Sequence, residues 1–220
     1  MTWLSIVVIC WPLVIGISGH DVVLDFMFVV NGTWSNRADV EAGSDQNEVI
    51  EVKYVTVDIP ALYPHRALFA ESSVNGTANN SKLGTVHEDE KSHRILHVRT
   101  YSFRNTTKYR PGEIKLDHLY NLTLDEIEDD CSGSYVSVGN GIYSGMSQIC
   151  NSTNEKDAVY STLFTCEHFV ASGLQIIDET RPSHGIFQRT GPRYPPSNRQ
   201  DDFVNPCESR MKETSHVHPV

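Results

Sequence analysis

Residues 131–150 read CSGSYVSVGNGIYSGMSQIC, and the dipeptide Asn140-Gly141 at their centre decides the fold class. Asn-Gly between two β-prone runs is the strongest short-range hairpin signal, because a type I′ turn needs positive φ at both central residues. The runs 134–139 and 142–149 therefore read as two antiparallel strands. A two-residue loop pairs Gly139 with Ile142 and, continuing outward, Cys131 with Cys150. That position of the ladder holds Cα atoms about 5.5 Å apart, which lies within disulfide range. A bulge at Gly133 or Gly145 would shift the register by one.

Working outward, 49–59 (VIEVKYVTVDI) and 94–103 (RILHVRTYSF) read as strands from their Val, Ile, Thr and Tyr content. AVYSTLFTC and HFVASGLQIID add two more. Helical periodicity is scarce. Residues 21–30 place Val22, Val23, Phe26 and Val30 on one helical face, and 122–130 starts with a capping box, Thr123 and Glu126. The polar run 72–91 reads as an exposed loop, and the Pro-rich stretch from about 190 as an irregular tail. Short strands with turn signals predict a mainly β chain, a barrel or sandwich with one or two short helices.

The N-terminus carries an apolar run from Leu4 to Ile17 followed by Ser18 and Gly19. It is short for a bilayer span and reads as a signal peptide, residues 1–19, that removes Cys10 with it. Domain boundaries follow: a barrel over 20–190 and a tail over 191–220. No later segment is apolar enough to be an integral membrane helix. Secretion agrees with six N-x-[ST] sequons, at Asn31, Asn75, Asn79, Asn105, Asn121 and Asn151. The four remaining cysteines, Cys131, Cys150, Cys166 and Cys207, suggest two disulfides with three pairings open. Register arithmetic favours Cys131 with Cys150, which leaves Cys166 with Cys207. The net charge of −10 argues against nucleic acid and anionic membrane surfaces as partners.

Strand 94–103 has two unlike faces. Leu96 and Val98 lie on one; His97, Arg99, Tyr101 and Phe103 lie on the other. With the mixed face inside a barrel, two cationic groups beside two rings would suit a flat amphipathic ligand carrying carboxylates. With the opposite orientation, Arg99 and His97 face solvent, the commoner place for arginine.

Several pieces, taken in order, resemble the chromophore lyases of the CpcT/CpeT type. GTWSNRAD at 32–39 is similar to their G-x-F-S-N signature, with Trp34 as the aromatic. ALFAES at 67–72 resembles an lY-x-E-Q segment through Phe69 and Glu71. HVRTYSF at 97–103 resembles an R-x-Y strand, LYNLTLDEIEDDC a helix followed by cysteine, and IYSGMSQIC a Y-x-G…C hairpin. The family's aspartate-rich end is met only by Asp178 and Gly185. The resemblance implies a calycin-like (lipocalin-like) antiparallel β-barrel, often a homodimer, that binds a linear tetrapyrrole (bilin) and guides its attachment to a cysteine of an acceptor protein. It implies Glu71, Arg99 and Tyr101 as ligand-binding residues, with His97 beside them, and no resident cofactor. The alternative class is a secreted glycoprotein without catalysis that binds a small amphipathic or hydrophobic ligand or an extracellular partner. The sequence points to no catalytic residue. His216 and His218 stand close in the tail, but no H-E-x-x-H or C-x-x-C spacing predicts a metal centre.

Overall fold

The computed structural model describes residues 21–44, 47–148, 159–174, 184–195 and 203–208. Ten strands alternate in direction along the chain. They are β1 (Gly32–Ser35), β2 (Ile50–Val57), β3 (Arg66–Val74), β4 (Thr77–Asp89), β5 (Ser92–Phe103), β6 (Ile127–Gly139), β7 (Ile142–Gln148), β8 (Val159–Phe164), β9 (His168–Leu174) and β10 (His184–Arg189). Each pairs with the next, and β1 pairs with β10, so the antiparallel barrel closes. Closure removes every exposed sheet edge. Two short α-helices accompany it, α1 (Val22–Val30) and α2 (Arg37–Glu41). The mainly β barrel that the turn signals predict is the fold observed. Among the described residues no helix is long and apolar enough to cross a membrane. The expected signal peptide lies outside the described residues.

The Asn140-Gly141 turn has φ of 50° and 68°, as a type I′ loop requires. The ladder then slips by one between Ser137 and Gly139, so Gly133 faces Ser147. The bulge thus falls at Val138 and not at Gly133 or Gly145. Cys131 is disulfide-bonded, and Cys150 lies outside the described residues. Cys166 is joined to Cys207 with Cα atoms 5.7 Å apart, across 41 residues of sequence. On the chain-entropy model a loop of that length is worth about 4 kcal/mol. The bond is compatible with an extracellular protein.

A second Asn-Gly turn, Asn75 and Gly76 with φ of 50° and 81°, joins β3 to β4. The run 72–91, expected to be a loop, is therefore mostly strand. Its polar residues sit at the exposed hairpin tip, whereas Leu83 and Val86 are buried on opposite faces of β4. The capping box at Thr123 and Glu126 is present, but it opens only a single 3-10 turn, Leu124–Glu126, before β6 begins.

Inward side chains from around the barrel, including Trp34, Leu68, Leu96, Tyr135, Tyr143, Phe164 and Phe187, pack against α1. The helix is apolar on nearly every side, which demands burial all round. Phe26 alone meets the rings of Tyr135 and Tyr143 at 5.0 Å each. At its start, Asp21 Oδ1 accepts a hydrogen bond from the Leu24 amide at 3.0 Å. At its end, side chains take the carbonyls that a helix leaves free. Arg193 Nε donates to Phe28 O at 3.0 Å, Arg189 Nη2 to Val29 O at 2.7 Å and Trp34 Nε1 to Val30 O at 2.8 Å. Arg189 Nη1 also donates to Asn31 O, and its guanidinium lies 4.0 Å from the Trp34 ring centre. Burial, with help from Arg193, pulls Arg189 down to about 10. Gly32, at φ +134°, is the position where a Cβ would occupy the space of the Arg189 guanidinium.

Arg189 Nε also donates to Cys166 O at 3.0 Å, and an ammonium cannot reproduce this three-carbonyl fork. Arg189→Lys is expected to lower the unfolding free energy by at least about 2 kcal/mol, whereas Arg104→Lys at an exposed site changes little. Urea denaturation of the two variants checks this.

Candidate functional site

Strand alternation settles which face of β5 is inside. Leu96 and Val98 pack in the inner cluster, so His97, Arg99 and Tyr101 face outward. The mixed face does not line the bore. Arg99 pairs with Asp129 on β6, leaves 54% of its side chain exposed and lies over the Tyr101 ring. Tyr101 packs at the border of a second, outer cluster, and its hydroxyl is 3.5 Å from Thr85 Oγ1. Glu71, also outward, accepts from the Gly112 amide at 2.8 Å. It thus tethers the segment 104–126, whose Tyr109, Leu119 and Leu122 cover Phe69, Leu83 and Phe103. The four residues share one outer face, but Glu71 serves the covering segment and Arg99 takes Asp129 as its partner.

The same face carries a row that the sequence reading did not single out. His65 precedes β3, and His87 pairs with His97 across β4 and β5. The ring centres of His65 and His87, and of His87 and His97, are each 5.3 Å apart. His97 Nε2 is 2.9 Å from Asp89 Oδ2, and its Nδ1 is 3.2 Å from Ser134 Oγ. That contact, with the Lys91 amide, holds Asp89 below the usual carboxylate range. Among the described residues, the buried His87 Nδ1 has no hydrogen-bond partner. No group of three His, Cys, Asp or Glu among the described residues is placed to hold a metal ion.

At the α1 end, His65 also lines a cleft of about 300 Å³. Leu24, Met27 and Phe28 of α1, Val57, Ile59 and Phe203 give it an apolar wall. Asp58, His65 and Arg66 supply polar groups, and Tyr63 stands 84% exposed at its edge. Arg66 Nη2 is held 3.1 Å from Asp21 Oδ2, so the residue that caps α1 also fixes the cleft's cation. The tail contributes Phe203 because Cys166–Cys207 anchors it, and Arg193 lies 4.6 Å from the Phe28 ring centre.

The bore has its own polar group, which the sequence reading also missed. A register shift between Thr100 and Tyr101 turns Asp130 inward. There it takes bonds from Ser102 Oγ at 2.7 Å and from Lys82 Nζ. Desolvation lowers Lys82 from the ordinary lysine value. Asp130 Oδ1 has no partner among the described residues.

Of the sequons, Asn75, Asn79, Asn105 and Asn121 are exposed. Asn31 is only 1% exposed; its side chain donates to Tyr194 O at 2.9 Å and accepts from the Tyr194 amide at 3.1 Å. Asn31 is thus a packed position, unlike the four exposed sequons. Asn151 lies outside the described residues.

Together these features define a closed up-and-down barrel with a buried helix and a cleft beside that helix. The fold is similar to that of a solved protein, the CRL protein of Arabidopsis, with a TM-score of 0.53 and 16% identity over 74% of this chain and 94% of that one. At that identity the likeness is one of fold alone. No family profile matches the chain, and no curated protein matches it significantly.

His87 yields a pH test of the imidazole row. Burial, then His65, His97 and Arg99, hold it below the ordinary histidine value. Between that lowered value and the ordinary one, the unfolded chain binds a proton that the folded chain refuses, so stability falls as pH drops through the window. The wild type should lose more stability from pH 7 to pH 5 than His87→Gln does; urea midpoints at the two pH values measure the difference.

Proposed function

We propose that this chain is a secreted, non-catalytic binding barrel whose cleft beside α1 takes a small amphipathic ligand. The observation that carries this reading is the cleft itself: about 300 Å³, apolar on the α1 and Phe203 side, polar at Asp58, His65 and Arg66. Sites for small molecules have this make-up, apolar walls with a few placed polar groups, and volumes of about 300–1,000 Å³. The aromatic packing around α1 supports it too, because a ligand entering from that end meets the cleft and not the bore. Phe28 and Phe203, whose ring centres are 5.3 Å apart, give a flat ring system an aromatic wall to lie against, with an acidic substituent toward His65. A bilin, the ligand class that the family resemblance implies, exceeds the lower bound of such cavities and would seat one end here, with the rest along the outer face past His87. The disulfide bond and the exposed sequons support an extracellular setting.

Titration with 1-anilinonaphthalene-8-sulfonate and with biliverdin tests the reading. Saturable micromolar binding of either is expected, weakened at least tenfold by Phe203→Glu, which sets a charge in the apolar wall. Binding of neither probe, or binding indifferent to Phe203→Glu, overturns the cleft as the ligand site. Colour that survives denaturation on an added cysteine-bearing acceptor would move the protein to the lyase class.

A further inference from the structure

The bore changes character along its length. At the α1 end its inward residues Leu68, Val86 and Leu96 are buried. Toward the other end, the inward positions Ala70, Ser72, Thr100 and Ser102 are only half-buried. Solvent therefore reaches the bore from the side away from α1 and its cleft. Small residues surround one long side chain there. Register sets Ala70 across from Lys82, and Thr100 across from Gly84. The other described lysines, Lys53, Lys91, Lys108 and Lys115, lie on the outside of the barrel or in its loops.

Lys82 keeps 23% of its side chain exposed, whereas its partner Asp130 has 0%. Lys82 Nζ donates to Ser102 Oγ at 3.0 Å and to Asp130 Oδ2, and Ser102 Oγ donates to the same carboxylate oxygen at 2.7 Å. Asp130 Oδ1 remains a buried acceptor with no donor among the described residues. The group thus holds an amine within reach of solvent, a carboxylate in contact with it and one acceptor position unfilled.

We propose that this end of the bore captures a neutral aldehyde as an imine on Lys82. Charge selects the class of ligand. The Lys82–Asp130 pair is neutral as a whole. A carboxylate ligand would have to take Lys82 from Asp130, and an ammonium ligand would have to take Asp130 from Lys82; either leaves a buried charge unpaired. A neutral carbonyl does neither, and lysine amines form Schiff bases with carbonyl compounds. The step balances without a co-reactant. The Lys82 ammonium passes a proton to Asp130, its lone pair adds to the carbonyl carbon, and the carbonyl oxygen takes that proton to give a carbinolamine. Asp130 Oδ1 is the acceptor for the new hydroxyl. Asp130 then carries a second proton from nitrogen to that hydroxyl, the C–O bond breaks, water leaves and an iminium remains. The iminium bears the same single positive charge as the ammonium, so Asp130 is paired before and after. Desolvation, which lowers Lys82, eases the first proton transfer. Gly84 and Ala70 leave room beside Nζ for the body of the aldehyde.

Benzaldehyde with sodium cyanoborohydride, which fixes an imine as a secondary amine, tests this on the purified chain at neutral pH. Peptide mass mapping locates the added benzyl groups. The initial rate at Lys82 is expected to exceed that at Lys53, Lys91, Lys108 and Lys115 at least tenfold, and to fall to theirs in urea. With 4-carboxybenzaldehyde, the same ring bearing a charge, labelling of Lys82 is expected to be at least tenfold slower than with benzaldehyde. All three comparisons use the wild-type sequence, so no variant has to fold. Labelling of Lys82 no faster than of the outer lysines, a preference that persists in urea, or equal labelling by the charged aldehyde each overturns the proposal.

Discussion

A helix that ends inside a barrel must have its last carbonyls satisfied there, and that single requirement organises this molecule. Water cannot reach them, and an unpaired buried carbonyl costs about as much as a lost hydrogen bond. The residues that answer the demand come from far along the chain. Trp34 follows on β1, but Arg189 ends β10 and Arg193 lies just beyond it. Satisfying α1 therefore pulls the last strand against the first, where Trp34 pairs with Arg189 in the β1–β10 ladder. Barrel closure and helix burial are one event, and Gly32 is the small residue that lets the guanidinium in.

Filling the α1 end with rings has a consequence for chemistry. Phe26, Tyr135, Tyr143 and Phe164 occupy the space that a ligand would need in an empty calyx. Polar side chains in the bore are gathered farther along, at Lys82, Ser102 and Asp130, where they satisfy one another apart from one carboxylate oxygen. The cleft and the imidazole row lie on the outside, and His65 belongs to both. The outer cluster under 104–126 supports both, because it holds the outward sides of β3, β4 and β5 rigid.

The parts of this design legible in the sequence are those set by local chemistry. Asn140-Gly141 announces its hairpin because few residues tolerate positive φ. Asn75-Gly76 carries the same signal, yet the polar residues around it obscure the strand, because a hairpin tip beyond the core can be hydrophilic without ceasing to be sheet. Alternation separates Leu96 and Val98 from His97, Arg99 and Tyr101, but alternation alone cannot say which set faces inward. That is decided by how many strands bury Leu and Val on the same side. Bulges at Val138 and Asp130 leave no composition mark, and each redirects the residues beyond it. The cleft was illegible for a different reason: Leu24, Ile59 and Phe203 meet only because a disulfide and two arginines bring the tail back to α1.

Asn31 shows how the same three letters can mean opposite things. As a sequon it reads as a surface mark, since glycan acceptors lie in exposed loops. In the fold it is the residue after α1, with both ends of its amide bound to the Tyr194 backbone. It therefore does for the tail what Arg189 does for the helix: it supplies partners to backbone groups that have lost water. That pairing lies at the point where the first and last segments of the barrel meet, and among the described residues the exposed sequons are confined to the hairpin tip and the covering segment.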